Sequence, residues 1–294
     1  MKTKILAIFA CLLWGSAFAG AKIGFEYTTP LHLSGMRFML AGILLIPFLI
    51  YQKIDWISNL KEWRYMLLFG FLQTFIQYGF FFMGLDKVPA AISAIIIGGG
   101  PFFVAVMAHF TIENDRMSLR KILAIVLGMA GIVFISFAKG GSVHTDTSFY
   151  YGIVLLIISN IVGASANVIV AKNRNKVSPI MLTAFANFSG GLMLYIISFF
   201  TEDWFIKTYT AEFYVAWIWL AFIPAAGFSI WYSLLKRPEI KVSELNMWKF
   251  IVPVAGVVLS WLLVPGEYPD LYSILGIFII TVALLILQKQ PNEK

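Results

Sequence analysis

Residues 94–107 read AIIIGGGPFFVAVM, and residues 246–256 read NMWKFIVPVAG. Each is an apolar run interrupted by a proline, Pro101 in the first and Pro253 in the second. Gly98, Gly99 and Gly100 soften the first break further. Proline removes a backbone donor from a helix and glycine lowers the cost of bending, so both runs read as helices broken near their middle. The glycine run is not a phosphate loop, because no P-loop lysine follows it and its flanks are apolar. In a lipid setting, paired interruptions at matching positions point to the substrate site of a carrier.

Composition identifies the solvent as lipid. Of 294 residues, 60% are hydrophobic and 13% charged, against about 45–50% and 25% in ordinary soluble domains. Apolar runs fall at 5–24, 32–51, 64–84, 89–110, 119–138, 150–171, 178–200, 212–234, 243–264 and 270–288. Each is near the roughly 20 residues that cross a bilayer core as a helix. The runs are continuous rather than alternating, which favours helices over a β-barrel. The expectation is an all-α integral membrane protein of ten transmembrane helices. The start of the chain, Met1 to Lys4 followed by an apolar run and Ala17-Phe18-Ala19, has the outline of a signal peptide. A retained first helix is expected instead, because the repeat described below needs it. The lone Cys11 sits inside the first run and forms no intrachain disulfide.

The net charge of +7 is spread over short loops, which reads as membrane orientation and not as a nucleic-acid surface. Alternate loops receive 16 Lys and Arg on one side and three on the other, Lys87, Lys139 and Lys207. Lys22, Arg37 and Lys249 fall within or at the ends of spans. The bias places both termini in the cytoplasm and the segment around 139–149 outside. The expected location is the cell inner membrane, with the bilayer and a small-molecule substrate as partners.

The second half echoes the first at an offset of about 150. Gly15-Ser16-Ala17 answers to Ala164-Ser165-Ala166, Pro30 to Pro179, Gly42 to Gly191, Pro101 to Pro253 and Asp115 to Glu267. Five spans per half is an odd number, so the halves, 1–140 and 150–290, enter the membrane in opposite senses. Inverted repeats of this kind underlie many alternating-access carriers.

With Trp14-Gly15-Ser16 and Lys22 in the first span, Arg37 in the second, Pro101 running to Asp115-Arg116-Met117-Ser118, and Pro253 running to Gly266-Glu267, the chain resembles the EamA-like carriers of the drug/metabolite transporter superfamily. The first-half loop departs from that pattern, with Asn114-Asp115 where the family usually has Gly-Glu. The resemblance covers nearly the whole chain and implies ten helices, a central cavity between the halves, and export of amino acids or related metabolites.

An ionisable residue inside a span is costly and is read first as functional. Lys249 lies about seven residues into the ninth run and shares a helical face with Asn246 and Pro253. It reads either as a cavity cation or as a snorkelling or paired lysine, with Glu244 the nearest acid in sequence. Arg37 lies closer to a membrane surface and reads as a structural ion pair or a carbonyl clamp. Gln73, Thr74, Gln77 and Tyr78 form a polar stripe that faces either a cavity or another helix. Asn160 and Asn167 with Gly163 in the sixth run, and Asn187 beside Gly190-Gly191 in the seventh, read as interhelical bonding sites. Trp14 is expected in the cavity wall, whereas Trp231 and Tyr232 read as interface anchors. The expected substrate set is thus Lys249, Asn246, Gln73, Gln77, Tyr78, Trp14, Pro101 and Pro253. Arg37, Asn167, Asn187, Asp115 and Glu267 are expected to be structural or gating.

No Asp or Glu occupies the middle of a run, which argues against proton-driven transport of cations and favours an uncharged, zwitterionic or acidic substrate. No metal-binding, nucleotide-binding or catalytic motif is visible, so neither cofactor nor enzymatic activity is expected. The reading is an alternating-access carrier of small metabolites such as amino acids, with a passive channel or facilitator for small solutes as the alternative.

Overall fold

The computed structural model of the chain describes residues 2–88, 93, 96–138, 147–173, 175–203, 208–263 and 269–288. All regular structure among them is helical. The helices are α1 (Lys2–Gly15), α2 (Ala17–Phe25), α3 (Pro30–Leu44), α4 (Ile46–Tyr51), α5 (Trp56–Leu60), α6 (Trp63–Gly70), α7 (Gln77–Lys87), α8 (Gly100–Thr111) and α9 (Leu119–Ala138). They continue as α10 (Thr147–Lys172), α11 (Pro179–Thr201), α12 (Ala211–Leu235), α13 (Val242–Met247), α14 (Ile251–Leu263) and α15 (Leu271–Gln288). A π-helical turn, Phe71–Ile76, joins α6 to α7, and a 3₁₀ turn, Trp248–Phe250, joins α13 to α14.

Among the described residues, five helical stretches are long and apolar enough to cross a membrane: Pro30–Tyr51, Trp63–Lys87, Thr147–Lys172, Pro179–Thr201 and Ala211–Leu235. Thr147–Lys172, at 26 residues, measures about 39 Å at 1.5 Å per residue. The outward faces carry large apolar side chains such as Phe110, Phe200, Val215 and Phe278, each at least 65% exposed. That is the surface a bilayer wets. Other expected runs are interrupted. The first breaks at Ser16, whose hydroxyl donates to the Leu13 carbonyl and accepts from the Trp219 indole. The fourth and ninth break just before the prolines, so that Pro101 and Pro253 fall in the first turn of α8 and α14. A proline at a helix start costs little, since that N–H has no intrahelical partner anyway. The π turn inside the third run carries no proline and was not expected.

Helices α3 and α11 pack against each other in antiparallel order, with Gly35 against Tyr195, Gly42 against Phe188 and Gly191 against Met39. A Cβ on Gly42 would lie 2.7 Å from the Ala184 carbonyl oxygen, and one on Gly191 2.7 Å from the Met39 nitrogen. Only glycine lets the two backbones approach so closely. Both helices begin with proline, and neither Thr29 nor Ser178 caps its own helix. The caps come from elsewhere in the chain. Glu202, just past α11, accepts from the amides of Leu31 and His32 at 2.8 and 3.2 Å and from the Thr29 hydroxyl at 2.6 Å. Asn59, on α5, accepts from the Ser178 amide at 2.7 Å.

The remaining contacts come in matched sets. Helix α7 packs on α10 as α12 packs on α1, α8 on α10 as α14 on α1, and α9 on α15. The bundle leaves a cavity where α1, α7, α10 and α12 converge.

Candidate functional site

The cavity has a volume of about 150 Å³. The sequence reading placed Lys249, Gln73, Gln77, Tyr78, Trp14 and Pro253 in the substrate site, and all six line it. Arg37 and Asn167, expected in structural roles, line it too, beside Ser159 and Asn160. Trp231 and Tyr232, read as interface anchors, are instead 1% and 2% exposed and form part of its wall. Their place near the end of the eighth run, close to Lys236 and Arg237, was the misleading signal. Each is held inward, Trp231 by a hydrogen bond and Tyr232 by stacking on Phe228 with ring centroids 5.5 Å apart. Pro224, inside α12, and Phe228 one turn further on also reach the cavity and were missed.

Lys249 sits on the 3₁₀ turn with its Nζ 4.9 Å from the Trp231 ring centroid and 5.5 Å from that of Trp14. Cation–π attraction of this kind is worth about 0.5–2 kcal/mol. Glu244, the suspected partner, points elsewhere and pairs with Arg120 at 3.2 Å and Lys241 at 3.8 Å. Asn167 orients the platform: its Oδ1 accepts from the Trp231 indole at 2.9 Å, and its Nδ2 donates to the Gly163 carbonyl at 2.7 Å.

Arg37 is neither in an ion pair nor clamped on a carbonyl among the described residues. Its guanidinium carbon lies 4.3, 4.6 and 5.4 Å from the ring centroids of Phe38, Phe82 and Tyr78. The residue is 4% exposed, and its Nε has no partner. Among the described residues that line the cavity, none is acidic.

The polar stripe owes its position to the π turn. Gln73 Nε2 donates to Gln77 Oε1 at 2.6 Å, and the Gln77 backbone carbonyl accepts from Ser159 at 2.9 Å. A Cβ on Gly163 would lie 2.7 Å from Gln77 Nε2, so the glycine makes room for that amide. At the fourth-run break, the Ile96 carbonyl accepts from the Gly99 amide at 3.1 Å and from Asn160 Nδ2 at 2.5 Å.

Asn246 and Pro101, expected in the substrate set, fall elsewhere, and Asn187 and Asp115, expected to be structural or gating, sit apart from the cavity. Asn246 is fully buried off the cavity, because its amide turns back to the Val242 carbonyl at 2.9 Å in α13. Pro101 is buried in packing, and the cavity wall at that break is made by Gly98, Gly100 and Val104. Asn187 is buried on α11 with its Nδ2 unpartnered. Asp115, between α8 and α9, is buried in a polar cluster. It accepts from Lys121 Nζ at 2.5 Å, from the Ser243 amide at 2.9 Å and from the Ser243 hydroxyl. Glu267 and the 139–146 segment lie outside the described residues.

A central, mixed polar and aromatic cavity inside an apolar helical bundle is the form of a membrane transporter. The EamA-like transporter family model matches residues 1–137 and 150–288, and the chain belongs to that family. It is 25% identical over 296 residues to an uncharacterized transporter, YvbV, of Bacillus subtilis (strain 168), covering all of this chain and 94% of that protein. It is 24% identical over 293 residues to a probable amino-acid metabolite efflux pump of Escherichia coli (strain K12), covering 95% of this chain and 93% of the pump. A solved crystal structure, 17% identical, superposes with a TM-score of 0.85 over 98% of this chain and 96% of its own, which shows a shared fold. The protein is thus a multi-pass membrane protein of a transporter family.

Proposed function

We propose that the chain is an inner-membrane carrier that exports small metabolites by alternating access. Two inverted halves of five helices, 1–140 and 150–290, would rock about the central cavity, with both termini in the cytoplasm. The observation that carries the reading is the composition of the cavity wall. Trp14, Arg37 and Gln77 come from the first half, and Asn167, Trp231 and Lys249 from the second. A site shared between two halves is remade whenever one moves against the other. The matched helix pairings and the crossed caps of α3 and α11 support the inverted relation. The E. coli relative's name makes amino acids and their metabolites the first class to test. Counterflow in proteoliposomes tests the proposal: a labelled substrate should enter faster, and saturably, when unlabelled substrate is preloaded inside. Flux that rises linearly with concentration and ignores preloading would favour a passive channel and overturn the carrier reading.

A further inference from the structure

We infer that the cavity selects organic acids carrying two anionic groups on an apolar body and no free ammonium. The inference rests on the carrier reading above and narrows its substrate class. Arg37 and Lys249 both line the cavity, on α3 and on the 3₁₀ turn before α14, and neither meets a carboxylate among the described residues. The cavity wall therefore presents two cations that no carboxylate balances among the described residues, which a dianion neutralises and a zwitterion does not.

Hydrogen-bonding capacity points the same way. An ammonium group needs acceptors or open aromatic faces. The amide oxygens of Gln77 and Asn167 are already used by Gln73 and Trp231, which leaves Gln73 Oε1 and the Tyr232 hydroxyl as the buried lining groups with acceptor capacity to spare. The ring faces of Trp14 and Trp231 already hold Lys249, and those of Tyr78 and Phe82 hold Arg37. Against those two neutral acceptors stands the charged donor capacity of the guanidinium fork and the ammonium, which suits carboxylates. Between the two cations runs a path of touching rings, from Tyr78 to Phe228 at 5.9 Å and from Phe228 to Trp14 at 5.7 Å. That path offers an apolar wall for the body of a ligand whose charged ends reach Arg37 and Lys249.

The test titrates the purified full-length protein with aliphatic and aromatic dicarboxylic acids, each beside its monomethyl ester and a matching zwitterionic amino acid, by thermal shift and tryptophan fluorescence. A diacid should bind roughly tenfold or more tighter than its monoester, the scale of one charge-assisted contact. Arg37→Gln and Lys249→Gln should each erase that preference, while Arg37→Lys and Lys249→Arg keep most of it. If a neutralised variant fails to fold, the wild-type ratio of diacid to monoester still decides. Equal binding of diacid and monoester overturns the inference. So does tighter binding of the amino acid, and if that amino acid also shows counterflow the carrier reading survives alone. Absence of binding and counterflow with every compound overturns both.

Discussion

In the first turn of α9, Lys121 is buried against Asp115 of the preceding loop at 2.5 Å, and its Nζ also donates to the Arg116 carbonyl at 2.9 Å. In the central cavity, Arg37 and Lys249 are held only by aromatic faces among the described residues. A cation with a fixed carboxylate is part of the scaffold, because its charge is already balanced. A cation left on a ring face keeps most of its electrostatic demand for something that comes and goes. The molecule thus separates charge balanced by a fixed carboxylate from charge that meets none among the described residues, the kind the proposed function assigns to a ligand. The first kind joins Asp115 of the first half to Ser243 of the second.

The sharpest way to break this contrast is to remove one partner from the closed cluster. Asp115→Ala strands the Lys121 ammonium in a buried site and should destabilise the protein by about 3–5 kcal/mol. A fall in the thermal unfolding midpoint of the purified protein reads this out. The double variant with Lys121→Met should recover a large part of the loss. An unchanged midpoint in the single variant would mean that the cluster is not structural.

In the cavity the same kind of change should spare stability and cost binding. Lys249→Gln strands no acid, so its unfolding midpoint should stay close to wild type. Its affinity for an acidic ligand should fall by about 1–3 kcal/mol. Parallel melting and titration curves separate the two effects, and a strongly destabilised Lys249→Gln would place this lysine with Lys121. Asn167→Ala sits between these extremes. It leaves the buried Trp231 indole without its acceptor, which costs about 1–3 kcal/mol of stability. It also frees the ring under Lys249, so a change in tryptophan fluorescence should accompany the loss.

The smallest effect is the pH dependence of the closed cluster. Burial alone would push the Asp115 carboxyl up, but bonds from Lys121 and Ser243 outweigh it and hold the group below its ordinary value. Its stabilising contribution is present above the unfolded value of about 3.9 and is lost as pH falls through the lower folded value. Unfolding midpoints should therefore hardly respond to this group from neutral pH down to about 4 and decline below that. Asp115→Asn should flatten part of the acid-side decline, and an identical decline in both proteins would assign it to other groups.

Much of this was legible in the sequence where the residue type itself carries the signal. Pro101, Pro253 and the glycines before Pro101 announced the broken helices, and a lysine at depth announced the cavity. Side-chain direction was harder to read. Trp231 and Tyr232 looked like interface residues because aromatic rings suit both a membrane surface and a cavity wall, and only packing against Trp14, Asn167 and Phe228 decides between them. Asn246 looked like a lining residue because it sits three positions from Lys249, yet its amide bonds to its own helix. The π turn Phe71–Ile76 carries no proline or glycine that would mark it, and Ser159 meets the Gln77 carbonyl just beyond it, a contact that no local pattern encodes.

The crossed caps of α3 and α11 bear on how the chain is made. Leu31 and His32 leave the ribosome long before Glu202, which accepts their amide protons. Until some 170 further residues have been synthesised, the first turn of α3 must turn to water, headgroups or the insertion machinery for acceptors. The early part of the protein is therefore unfinished until the later part arrives, and the α3–α11 pair is the clasp at which insertion turns into assembly.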